Sequence, residues 1–186
     1  MADLCLPLDL PDWARDYETS PAPVANDTAG MALAIELARR NVAAGTGGPF
    51  GAVLVGLDDR CPVAVGVNRV VSLGSSVLHA EMMAIMRGQL KRGSYRLRSP
   101  EHTLYTSCEP CAMCLGAVLW SGVRRLVCGA PAAAARAAGF DEGPVFSESY
   151  RHLAEAGIEV IRAVLPDQAA AVIADYRARG GAIYNG

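Results

Sequence analysis

The sequence predicts an α/β fold, a three-layer α/β/α sandwich around a central mixed five-stranded sheet. Three observations predict it. β-branched runs alternate with helical periodicities along most of the chain, the first two runs are separated only by Asp58-Asp59-Arg60, and 186 residues suffice to bury one substantial core. A connection that short makes a hairpin, so later strands that alternate with helices complete a mixed sheet with helices on both faces.

Residues 1–25 hold Pro7, Pro11, Pro21 and Pro23 among acidic and small residues, which predicts an extended arm draped over a domain of residues 26–186. The capping cluster Asn26-Asp27-Thr28 opens the first helix, where Met31, Ile35, Ala38 and Val42 recur at helical spacing until Gly45. After the turn Thr46 to Pro49, Phe50–Leu57 and Pro62–Val70 are the strands of the hairpin. A second helix runs from about His79 to Leu90 and breaks around Gly93. Thr103–Ser107 is a short strand. Pro110 suits the first position of a third helix that ends near Ser121, with Gly122 beyond it. Arg124–Gly129 is again a strand, and the alanine-rich piece 132–138 leads to Gly139-Phe140-Asp141-Glu142-Gly143. A weak helix, the strand Ile158–Val164 and a last helix Asp167–Arg179 complete the pattern, with no internal repeat.

Seventeen basic residues against nineteen acidic ones give a formal charge of −2, without a basic block to meet a phosphate backbone. A nucleic-acid partner is therefore disfavoured. Arg39-Arg40, Arg124-Arg125 and the run from Lys91-Arg92 to Arg98 read as solvated faces and helix ends. Met1 to Trp13 lacks the positive flank and continuous apolar stretch of a secretory signal, and the apolar run Ala112 to Trp120 is too short to cross a bilayer. The expectation is a cytoplasmic protein with no membrane partner. In that reducing compartment the six cysteines read as two metal ligands plus free or buried thiols, and Cys5, Cys61 and Cys128 receive no role.

The chemistry concentrates in two places, His79-Ala80-Glu81 and Pro110-Cys111-Ala112-Met113-Cys114. Cys111 and Cys114, three apart, project from one helix face, and a helix N-terminus favours the thiolates that zinc requires. With His79 they offer three ligands and leave a fourth position open, as a catalytic zinc needs. Residues two apart on a regular helix diverge, so spacing alone does not bring His79 and Glu81 to one site. Cys108 offers a rival, a closed structural site of three cysteines and His79 in a non-catalytic binding module. Two thiolates neutralise the dication and make it a softer Lewis acid, so Glu81 is needed as the proton carrier.

This H-x-E and P-C-x-x-C pattern resembles the signature of the zinc-dependent nucleobase deaminases. The block Thr106 to Trp120 looks like the guanine deaminase branch of the cytidine deaminase superfamily. Gly48-Pro49-Phe50-Gly51-Ala52-Val53, Asn68, Gly139-Phe140-Asp141-Glu142 and the ending Gly180 to Gly186 add to it, so that the resemblance covers most of residues 28–186. It implies a cytidine deaminase-like fold, Zn2+ held by His79, Cys111 and Cys114, and Glu81 as proton shuttle. Asn68 then binds the purine, Phe50 and Trp120 wall the pocket, Ala80 touches substrate, and Glu142 addresses the N–H edge and assists proton transfer. Each has a structural rival: Phe50 and Trp120 as core, Asn68 in a turn, Glu142 as a surface charge. Tyr184 matches a C-terminal tyrosine that closes the site, its own or a partner's, and the resemblance implies a homodimer, with or without an exchanged tail 180–186. The implied substrate is a small nucleobase, guanine; guanosine, cytosine, a pterin or a triazine remain open, and a tRNA adenosine deaminase less so.

Overall fold

β1 (Gly51–Gly56) and β2 (Pro62–Val67) form the expected antiparallel hairpin, and β1 pairs antiparallel with β3 (His102–Cys108) on its other side. β4 (Arg125–Ala130) and β5 (Glu159–Ile161) continue the sheet in parallel, giving the order β2-β1-β3-β4-β5. The computed structural model describes residues 8–19, 21–99 and 101–184. Eight helices are found among them: α1 (Asp12–Thr19), α2 (Asp27–Ala43), α3 (Val70–Leu73), α4 (Ala80–Arg92), α5 (Ala112–Ser121), α6 (Ala132–Ala138), α7 (Ser147–Glu155) and α8 (Pro166–Ala178).

Successive side chains of a strand point to opposite faces, and the two faces carry separate cores. Val53, Val65, Val67, Tyr105 and Val127 pack with residues of α2, α6 and α8. Ala52, Leu54, Ala64, Leu104 and Leu126 pack with residues of α4, α5 and α7. This is the three-layer mixed α/β sandwich that the sequence predicts. α4 approaches the sheet so closely that a Cβ on Gly66 would lie 1.9 Å from the Ala80 carbonyl oxygen, so β2 needs glycine there. That contact fixes where α4 begins.

Four local expectations are corrected. The proline-bearing arm is not simply extended: its prolines bracket residues 12–19, and α1 forms between them, starting after Pro11 with Asp12 in its first turn. β2 stops at Val67, because the Asn68 side chain accepts the Val70 N–H and turns the chain into α3. β5 spans three residues, since Ala163 and Leu165 adopt positive φ (60° and 53°) and leave the ladder. α5 begins at Ala112, with Cys111 as its N-cap and Pro110 before it, so Pro110 is not the first helical residue.

α1 packs on β2, an edge strand. Glu18 accepts the Val65 N–H of that edge (2.9 Å) and pairs with Arg87 (2.6 Å) and Lys91 (2.8 Å), with only 4% of its side chain exposed. Covering an edge strand removes a template for aggregation. Burial raises the Glu18 carboxyl, but the hydrogen bonds from Arg87, Lys91 and Val65 outweigh it and hold the group below its ordinary 4.5. A lowered carboxyl stabilises the fold fully above that ordinary value and loses its contribution as pH falls through the lowered one. Glu18→Gln is expected to reduce stability near neutral pH by about 1.5–3 kcal/mol and to weaken the acid dependence, measured by urea unfolding at about pH 7 and about pH 3.

Candidate functional site

Two helices begin side by side at one end of the sheet, and each offers a ligand from its N-cap. His79 (φ −70°, ψ 158°) precedes α4 and Cys111 (φ −66°, ψ 172°) precedes α5, while Cys114 lies in the first turn of α5. Because both caps are extended, their side chains project from the helix entrances. His79 Nδ1 lies 3.5 Å from Cys111 Sγ, and the ligand atoms of His79, Cys111 and Cys114 all lie within 4.8 Å of one another. Tetrahedral zinc with bonds of about 2.1 Å to nitrogen and 2.3 Å to sulfur has an N···S edge of about 3.6 Å. One imidazole and two thiols at this separation fit zinc. Cys108 stands outside the group, its Sγ 3.9 Å from the Pro131 carbonyl oxygen. Three ligands rather than four therefore meet among the described residues.

Glu81 is buried on the first turn of α4. It reaches the same site as His79 because His79 is not yet helical. The Thr106 hydroxyl lies 3.2 Å from Glu81 Oε1 and 3.0 Å from the Cys108 carbonyl oxygen. Its single proton serves one acceptor at a time, and where it donates to Glu81 it lowers that carboxyl. Burial, then the nearby Cys111 charge, outweighs this and raises the Glu81 carboxyl. The hydrogen bond from Cys114 lowers Cys111 to about 4, against burial and helped by His79, while the same bond raises Cys114. Burial lowers His79, but its bond to Cys111 and the acidic neighbours leave it raised.

Above the cluster lies a cavity with about 350 Å³ of atom-free space, part of it open to solvent. Phe50, Asn68, His79, Glu81, Cys111, Glu142 and Tyr184 all line it, which brings most of the expected site residues together. Phe50 meets Phe140 edge to face at 5.1 Å, and Phe140 meets Tyr184 at 5.1 Å. Asn68 is fully buried; its Oδ1 serves the turn, and its Nδ2 lies close enough to the Tyr184 hydroxyl to act on it. Tyr184 reaches this point because the tail folds onto its own chain's cavity. Neither group forms a well-aligned hydrogen bond, so two buried donors border the space. Burial, then the Cys111 and Glu81 charges, raises Glu142 to about 8.

Two expected residues lie elsewhere. Trp120 is 80% exposed near the end of α5 and does not line the cavity, because its helical position points it away from the sheet. Ala80 is buried in the α4 core and is likewise absent from the lining. Sequence reasoning assigned no role to Phe140 and Asp141, although the segment containing them was singled out, nor to Glu109 of the cavity wall. Asn41 also escaped notice: its amide donates to the carbonyls of Gly48 and Asn68 and so holds the cavity loop. A lone asparagine in a helix carries no signal for such a contact.

The chain matches the family model of the cytidine and deoxycytidylate deaminase zinc-binding region over residues 24–130 and belongs to that family. It is a zinc-dependent deaminase, and zinc is its cofactor. Its similarity extends to guanine deaminase of Bacillus subtilis (strain 168), 42% identical over 115 residues, which are 62% of this chain and 71% of that protein. A solved guanine deaminase from Nitrosomonas europaea is 40% identical with a TM-score of 0.89, over 94% of this chain and 97% of that one. A solved structure of a mutant protein in complex with 8-azaguanine gives 40% identity and a TM-score of 0.90, over 96% of this chain and 99% of that one.

A carboxyl raised from 4.5 to about 8 on folding weakens the fold as pH rises between those values. In metal-free protein, Glu142→Gln is expected to flatten the stability profile across that window, measured by urea unfolding at stepped pH.

Proposed function

We propose that this chain hydrolyses guanine to xanthine and ammonia. One observation carries the reading: a single cavity joins the His79, Cys111 and Cys114 cluster and Glu81 to a second buried carboxylate, Glu142, and two buried donors without a well-aligned hydrogen bond, Asn68 Nδ2 and the Tyr184 hydroxyl. A purine base presents N–H donors and ring acceptors that answer both kinds of group. The likeness to guanine deaminases and to a complex with 8-azaguanine supports the same substrate.

In this mechanism His79, Cys111 and Cys114 would hold the zinc. When bound, it supplies a Lewis acid that makes water acidic near neutral pH. Glu81 takes a proton from the attacking water and returns it to the ring nitrogen or the leaving amine. Its burial suits it to carry that proton at its carboxyl oxygens. Glu142 accepts from the N–H edge of the base, Asn68 and Tyr184 donate to its acceptors, and Phe50 and Phe140 pack on the ring. Guanine and water yield xanthine and ammonia, so protons and atoms balance. Guanosine, cytosine, pterins and triazines are the competing substrates, and the acidic charge balance speaks against a tRNA substrate.

Glu81→Gln is expected to retain zinc and lose turnover by about 10²–10⁴-fold, whereas Glu142→Ala lowers guanine turnover more than zinc content. Ammonia release over a panel of these heterocycles, with metal analysis on the same samples, checks both. A preference for another heterocycle would displace guanine, and unchanged turnover in Glu81→Gln would remove the mechanism.

We further propose a cytoplasmic homodimer serving purine breakdown. Unpaired Cys61, Cys108, Cys111, Cys114 and Cys128 suit a reducing compartment. Among the described residues no helix is long and apolar enough to cross a membrane. α5 bears no charged side chain, and its Met113, Gly116, Ala117 and Trp120 recur at helical spacing on the less buried side. Such a stripe supports self-association. Trp120→Glu is expected to shift the sedimentation of the protein toward monomer; an unchanged dimer would exclude this face.

A further inference from the structure

Glu109 precedes Cys111 by two residues, is 7% exposed and lines the cavity, yet both of its carboxylate oxygens are engaged. Oε1 accepts from Arg162 Nε, and Oε2 accepts from the Ala132 N–H at 3.0 Å. Little acceptor capacity is left for a substrate. What Glu109 does hold is the start of α6, the helix that leads to Phe140-Asp141-Glu142. A return link runs from the other end of that segment, where the Ala112 N–H at the start of α5 donates to the Glu142 carbonyl at 2.9 Å. Gly143, at φ +66°, lets the chain turn there, and a Cβ on it would meet the Ala112 Cβ at 3.2 Å.

These bonds close a circuit. The loop carrying Cys111 grips α6 through a side chain, and the segment carrying Glu142 grips α5 through a backbone carbonyl. Arg162 follows β5, outside the cavity lining, and its guanidinium sits 4.7 Å over the Tyr150 ring of α7. It is therefore oriented before it meets Glu109. A buried carboxylate without its cation would be left uncompensated and would seek water or another donor.

We propose that Glu109, held by Arg162, is a positioning residue for the deamination, fixing the Cys111 side of the metal site against the segment that carries Glu142. The inference rests on the guanine deaminase reading above. Because Arg162 does not reach the cavity, its removal can affect the reaction only through what it holds. A displacement of about 1 Å between reacting groups can lower a rate about 10²-fold.

The test compares the zinc-loaded full chain with Arg162→Ala, Arg162→Lys and Glu109→Gln, well below each unfolding temperature, measuring zinc per chain and kcat and KM for guanine. Arg162→Ala is expected to keep its zinc and lower kcat about 10- to 100-fold, with KM within about threefold of the original. Arg162→Lys, which restores the cation, should recover most of the loss, and Glu109→Gln should fall between the two. A kcat for Arg162→Ala within about twofold of the original would overturn the proposal. So would a loss that follows zinc content or that lysine fails to rescue. Absence of guanine turnover in the unaltered protein would instead defeat the functional reading, and the positioning role with it.

Discussion

The approach of His79 Nδ1 to Cys111 Sγ is the contact on which the rest of the site depends. It requires α4 and α5 to start at the same end of the sheet, with their first residues not yet helical. Gly66 lets α4 settle on β2, and the Glu142 carbonyl holds the first N–H of α5. Both helix entrances also carry the positive end of a macrodipole toward the site, which favours the thiolate form. Backbone placement and ligand chemistry therefore act in one direction.

Around this cluster the polar groups are arranged against stability. Glu81 and Glu142 are buried carboxyls raised by desolvation and by Cys111, and Asn68 and Tyr184 hold buried donors without a well-aligned hydrogen bond. Each such group costs the fold something until a ligand satisfies it. Remote from the cavity the pattern reverses: Asp27 receives Arg125 through both oxygens and accepts from the Tyr105 hydroxyl, and Glu18 receives two cations and an edge N–H. Stabilising pairs thus surround a site whose own groups await a partner.

Much of the sandwich was legible because its signals are local. Asn26 caps α2 by accepting the Ala29 N–H, as the Asn26-Asp27-Thr28 cluster predicts, and Gly93 and Gly122 end their helices in the left-handed region. α1 was missed because prolines read as breakers can also bracket a helix. Trp120 was misplaced because an apolar run does not disclose which side of a helix faces the core. Periodicity on α5 is weak for the same reason: nearly every residue there is apolar.

By itself the sequence determined the kinds of donor and their short-range order: an imidazole with a carboxylate two residues on, and two thiols one helical turn apart. Those follow from covalent spacing and helix geometry. Only the tertiary structure decided that the two groups meet, that Cys108 turns to Pro131, and that Glu142 and Tyr184 close on the same cavity. A separation of 32 residues between His79 and Cys111 carries no distance of its own. The pairing of strands and the burial of two apolar faces set that distance.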